Sequence, residues 1–304
     1  MSVARLQQLL VSALIITVIA WLILSPAYVP GLVVISVAFA IGLGYAWILA
    51  FEFALMLVFG AEGRGRRPTL FQVARAWWGE VLSTPQVFCW RQPWRFDAEP
   101  DWLPNSSRPG VLLVHGFFCN RGFWNPWMVR LRAASIPHMA VSLEPMFGSI
   151  DDYSDAIEHA VNRMRHATGH APVVVAHSMG GVAVRAWLAG QPSATWVRRI
   201  FTIGSPHRGT WLARFSAVLN GSQMRMGSSW LDALAKREAS EHATLFVCYY
   251  SNCDNIVFPS SAATLPGADN RRVDGIAHVH MAFHPRVMDP ILSEISAMKV
   301  GAAK

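Results

Sequence analysis

Residues 173–184 read VVVAHSMGGVAV: three valines run into a single hydroxyl and then into two glycines. Val173, Val174 and Val175 have the composition of a buried strand, while Val182, Ala183, Ala186, Trp187 and Ala189 suit a packed helix. A strand that passes straight into a helix must turn a tight corner, and the side chain at its tip, Ser178, is held out where a second molecule can reach it. Such a corner tolerates only small neighbours. Ala176 and Gly180 lie two residues to either side, so the pattern is A-x-S-x-G, with alanine in the usual first glycine position. A turn serine would also satisfy a bare S-x-G. The flanking strand and helix favour a nucleophile, and its partners must decide.

Outward from this corner, strands and helices alternate. Strands are expected over 111–115, 138–143, 173–176, 200–203, 245–250 and 271–273, and helices over 126–134, 150–167, 181–189 and 290–298. The second of these helices is marked by Ile150, Tyr153, Ile157, Val161 and Met164 behind Ser149 as a cap, and the last by Pro290 in its first turn behind Asp289. Alternation of this kind implies an α/β fold, a mostly parallel sheet with helices on both faces, whose reactive loops gather at the carboxyl ends of the strands.

A serine nucleophile needs a base, and the base an acid that fixes its tautomer. Where the nucleophile sits on a strand-to-helix elbow, the chain order is Ser, acid, His. Of the eleven histidines, this order leaves His278, His280 and His284 behind the best acid, Asp254, which follows the apolar run 245–250 directly. The other reading of Asp254 is an Asx-type turn residue ahead of Asn255. His278 is preferred to His280 because Gly275 and Ala277 leave room for an imidazole; His284, before Pro285, reads as a turn or cap. Oxyanion donors are sought in the backbone N–H of Met179, at the amino end of the helix, and of Phe117, in the loop after the first strand, LLVHGFFCN at 112–120.

HGF at 115–117, AHSMGG at 176–181, GSPHRGT at 204–210, CDNIVFP at 253–259 and GIAH at 275–278 together resemble a bacterial lipase or esterase of the α/β-hydrolase superfamily, over roughly residues 110 to 298. The resemblance implies Ser178 as nucleophile, Asp254 as acid, His278 as base, Phe117 and Met179 as oxyanion donors, and His207 as a structural residue. No cofactor or metal is implied. Secreted lipases of this kind lack what precedes residue 60 here.

Residues 9–24 and 32–59 are almost wholly apolar and each is long enough to cross a bilayer; they read as a transmembrane helical hairpin ahead of the hydrolase fold, turning at Pro26, Pro30 and Gly31. A cleaved signal ending at Ala27 is the alternative. Glu52 lies near the end of the second run, within reach of headgroups; a buried functional carboxylate is the alternative reading. Arg5 precedes the first span, Arg64, Arg66 and Arg67 follow the second, and the turn is uncharged, which puts both ends and the catalytic domain on the cytoplasmic side of a plasma (inner) membrane. The net charge of +7 has no basic stripe interleaved with aromatics, so anionic lipid is a simpler partner than nucleic acid. Cys89, Cys119, Cys248 and Cys253 form no C-x-x-C pair and read as free thiols.

The division expected is a membrane segment 1–60, a stretch 61–108 with an amphipathic helix at 69–83 and strand-like residues 86–96, and a catalytic domain 109–304. Within that domain, residues 210–238 have the length and amphipathic faces (Trp211, Leu212, Phe215; Trp230, Leu231, Leu234) of either a lid or a packed insertion. The expected function is hydrolysis of lipid or other apolar acyl esters through an acyl-enzyme. An acyltransferase using the same intermediate and a catalytically silent membrane scaffold are the alternatives.

Overall fold

The computed structural model describes residues 2–60, 67–104, 106, 108–191 and 193–298. Its centre is a six-stranded parallel sheet in the order β2-β1-β3-β4-β5-β6, with β1 at Val111–Val114, β2 at His138–Ala140, β3 at Val173–His177, β4 at Arg199–Ile203, β5 at Phe246–Tyr250 and β6 at Asp269–Arg272. At the centre Val111 pairs with Val173 and Leu113 with Val175, and Ala176 lies beside Thr202.

Successive residues point to opposite faces. Leu112, Val114, Val174 and Ile200 meet the helices Ser154–Thr168 and Met179–Ala189 on one side; Leu113, Val175, Phe201 and Val247 meet Asn125–Ala133 and Pro285–Ala297 on the other. With both faces covered, β1 and residues Val173–Ala176 of β3 are apolar throughout.

Three expectations change. The last helix starts at Pro285, not Pro290, because His284 caps it by accepting the N–H of Arg286 and the burial of Val287 and Met288 draws the preceding turn into the helix. Residues 86–96 are not strand-like: Gln86–Arg91 and Gln92–Trp94 continue helically from α4 (Leu70–Pro85). In so short a run a few apolar residues fit either period, and burial of Val87 and Gln92 selects the helix.

The third change concerns the N-terminal helices. α1 (Val3–Leu24) is followed by a turn at Ser25–Ala27, and the second apolar run is two helices, α2 (Gly31–Gly42) and α3 (Gly44–Phe59), bent by 55°. Glycines on both sides of Leu43 weaken the helix there. α1 and α2 pack together, with the Trp21 indole donating to the Val34 carbonyl at 2.9 Å. They leave Ile16, Ile23, Leu24, Leu32 and Phe39 exposed. α3 instead returns to the domain and buries Phe53 and Met56 with Ala76 of α4 and Phe258. By length and composition α1 alone can cross a membrane, and α2 with α3 only if the bent pair is one span. Arg64 and Arg66 lie outside the described residues.

Candidate active site

Ser178 stands between β3 and its helix with φ 54° and ψ −131°, a left-handed backbone that costs a non-glycine residue about 1–3 kcal/mol. The corner is held because the Ser178 N–H donates to the Ile203 carbonyl and the Gly181 N–H to that of Ser178, each at 3.0 Å. Its tightness explains the small residues. A Cβ on Gly180 would lie 2.4 Å from the His115 carbonyl oxygen, whereas the Ala176 methyl fits in the core.

His278 opens the short helical turn His278–Met281. Its Nε2 lies 2.9 Å from the Ser178 hydroxyl and its Nδ1 2.9 Å from Asp254 Oδ2. Asp254 Oδ1 accepts the N–H groups of Ile256 (2.9 Å) and Val257 (2.7 Å), so the two readings of this aspartate are both realised, one on each oxygen. With its Nδ1 proton on Asp254, the imidazole presents a lone pair to the serine. Burial opposes its charged form, but Asp254, Glu80 and Glu52 outweigh that and raise its pKa above the ordinary histidine value.

Met179 is the first residue of its helix, where N–H groups have no intrahelical acceptor. The loop bearing Phe117 passes close beside the serine, since a Cβ on Gly116 would sit 2.7 Å from Ser178 Cβ. The structure therefore brings Ser178, Asp254, His278, Phe117 and Met179 to one place at the carboxyl ends of β1, β3 and β5. His280 is not there. Its ring packs on Gly79 and tilts against His284, and burial, with His284 and Arg75, lowers its pKa to about 4. His207 bonds the Thr202 hydroxyl at 3.0 Å, lies edge-on to Phe246 and does not line the cavity beside the serine.

Residues 111–292 match the alpha/beta hydrolase family. The chain belongs to that family. Two solved structures have the same fold: the lipase BlEst2 of Bacillus licheniformis in mature form (15% identity, 64% of this chain and 94% of that one, TM-score 0.56) and lipase B of Aspergillus fumigatus (18%, 62% and 52%, TM-score 0.54). The chain thus spans about half the length of the second. No curated protein matches by sequence. The family match leaves residues 1–110 outside it.

In this family member those outlying residues nevertheless build one wall of the site. A cavity of about 410 Å3 opens beside Ser178, walled by Tyr45, Ile48 and Leu49 of α3, Thr84 of α4, Phe88 and Phe118. No residue of 210–238 lines it. Leu231 and Leu234 are buried in the main core, and Trp211 stacks on Phe59 at 4.0 Å between ring centres. Phe215 and Leu219 of the same stretch stay exposed, and the cavity is roofed by α3 with α4.

Polar side chains of the N-terminal segment also reach each loop of the site. Gln7 donates to the Phe118 carbonyl (3.1 Å), and Gln92 accepts the Asn120 N–H (2.7 Å). Glu52 accepts from the Asn255 amide (2.7 Å), and Glu80 takes the N–H groups of Val279 and His280, both at 2.9 Å. Sequence reasoning missed Gln7, Gln92 and Glu80. Only Glu52 carried a signal, a carboxylate inside an apolar run, and it meets the domain instead of a headgroup.

Proposed function

We propose that this hydrolase-family chain cleaves carboxylic esters of apolar acyl groups by a Ser178–His278–Asp254 mechanism. The hydrogen-bonded chain from Ser178 Oγ through both nitrogens of His278 to Asp254 carries the reading. His278 takes the hydroxyl proton as Ser178 Oγ bonds to the carbonyl carbon, and the N–H groups of Phe117 and Met179 receive the charge that forms on its oxygen. The tetrahedral intermediate expels the alcohol, which leaves with the proton from His278. Water, deprotonated by the same imidazole, then attacks the acyl-serine, and the carboxylic acid leaves as Ser178 Oγ takes the proton back from His278.

The lining of the cavity supports an apolar acyl group, since α3 presents Ile48 and Leu49 beside the serine. Ile48 is also 63% exposed and is flanked by exposed Trp47 and Phe51, so the cavity wall is continuous with an outer apolar surface. On this reading the α1–α2 pair inserts into a bilayer, and substrate lipid enters from it along α3. The same reading puts both ends of the pair on one side of the membrane, since Gln7 and α3 both touch the domain, and Arg5 favours the cytoplasmic side. A fluorophosphonate, which reacts only with an activated serine, tests the mechanism: labelling of wild type and not of Ser178→Ala is expected. An unlabelled wild-type protein that is folded would overturn it.

A further inference from the structure

Glu80 is the most deeply buried carboxylate among the described residues, 1% exposed, and it bonds neither Ser178 nor His278. Both its oxygens are occupied by backbone: Oε1 by the N–H of Val279 and Oε2 by that of His280, each at 2.9 Å. These are the first N–H groups after His278, at the amino end of the turn His278–Met281, where intrahelical acceptors are lacking and negative charge is favoured. α4 approaches closely enough to place it there because residue 79 is glycine; a Cβ at that position would lie 2.1 Å from His280 Nδ1. From the other side the Asn255 side-chain oxygen accepts the N–H of His278 itself (3.2 Å), and the Asn255 amide is held by Glu52 of α3. Three consecutive N–H groups are thereby fixed by side chains, two of them on or tethered to helices outside the family match.

We propose that Glu80 is a positioning residue for His278. It holds the turn that carries the base so that Nε2 faces Ser178 and Nδ1 faces Asp254, with Glu52 acting on the same turn through Asn255. This rests on His278 being the base. A consequence is that α3 and α4 complete the site as well as roof it. The carboxylate also acts through space, since it favours the imidazolium that forms when His278 takes the serine proton. The charged and titratable groups facing His278 are Asp254 on its loop, Glu52 on α3, Glu80 on α4 and His177 on β3; His280 binds Glu80 through its N–H, and Arg75 in turn faces His280. Removing Glu80's charge therefore lowers the pKa of the base, and the acid limb of kcat/KM moves to lower pH.

The test compares full-length wild type and Glu80→Gln in detergent micelles, on a soluble short-chain ester. Gln keeps one acceptor and loses the charge and the second. Expected are a kcat about tenfold lower, within the hundredfold that small misplacements of reacting groups cost, a KM changed by less than about twofold, and an acid limb displaced to lower pH. A folded Glu80→Gln protein with wild-type kcat and acid limb overturns the proposal, as does a loss of kcat that follows only the fraction of folded protein. If Glu80→Gln does not fold, Glu80→Asp keeps the charge one methylene short: lower kcat with an unmoved limb is expected, and wild-type kcat overturns it. Fluorophosphonate labelling of the wild type separates the two readings, because an unlabelled wild type defeats the mechanism itself whatever Glu80 does.

Discussion

Two helical segments have the pattern of a cover for Ser178, and they behave oppositely. Residues 210–238 sit in the family domain, in an insertion with two amphipathic faces that avoid the cavity: Leu231 and Leu234 join the core and Trp211 stacks on Phe59 and Phe258, while Phe215 and Leu219 stay exposed. α3 belongs to an apolar run that reads as a membrane span, yet it lies over the serine with Ile48 and Leu49 in the cavity wall. The contrast shows what amphipathicity specifies. It marks a face that will be buried, and it is silent about the partner that buries it.

The largest expected effect sets the floor for any such comparison. Ser178→Ala, His278→Ala or Asp254→Ala should lower ester hydrolysis by about 10⁴-fold or more, because the three act as one unit. Double variants no worse than single ones in kcat measurements would bear that out, and full activity in Ser178→Ala would sink the mechanism. In the wild type, kcat/KM should fall as pH drops through a pKa above the ordinary histidine value, the neutral imidazole being the active form.

A second substitution tests the roof directly. Leu49→Trp fills the cavity from α3 and should depress turnover of long-chain esters about tenfold while short-chain turnover stays within about twofold, a methylene-scale discrimination multiplied along the chain. Trp211→Ser with Phe215→Ser in the insertion should lower both alike, since these residues support α3 from outside and do not meet the acyl group. If the insertion variant alone were chain-length selective, the roles of the two segments would be reversed.

The membrane side of the comparison rests on a reporter. An alkaline phosphatase fused after Arg67, active only outside the cytoplasm, should give background signal, and strong signal would reverse the proposed orientation. Finally, Glu80 is a buried carboxyl whose pKa burial raises to about 7, against which the Val279 and His280 N–H groups act. A raised carboxyl contributes stability below its unfolded value that is lost as pH rises through the folded one. The Tm of Glu80→Gln relative to wild type should therefore increase between pH 6 and pH 9. A constant difference would mean that Glu80 does not titrate there.

The smallest effect is at His280, two residues from the base. His280→Ala should change kcat less than about threefold, because its ring faces Gly79 and His284 and not the serine.

Much of this molecule was legible in one dimension. The strands around VVVAHSMGG, the A-x-S-x-G corner and the residues that meet there follow from local rules: a buried strand must be apolar, a tight corner must be small, and β1, β3 and β5 each deliver a loop to the same sheet edge. Helix starts were harder, since His284-Pro285 and Asp289-Pro290 offer equal local signals and only the burial of Val287 and Met288 chose between them. The wall that the N-terminal helices give the cavity was not legible. Gln7, Glu52 and Glu80 stand 111, 203 and 199 residues from the groups they bind, Phe118, Asn255 and Val279. Contacts that distant leave no periodicity in the chain. An apolar helix face lowers its free energy against lipid or protein alike, so whether α3 meets one or the other is decided by the shape and the unpaired N–H groups of the domain it folds onto.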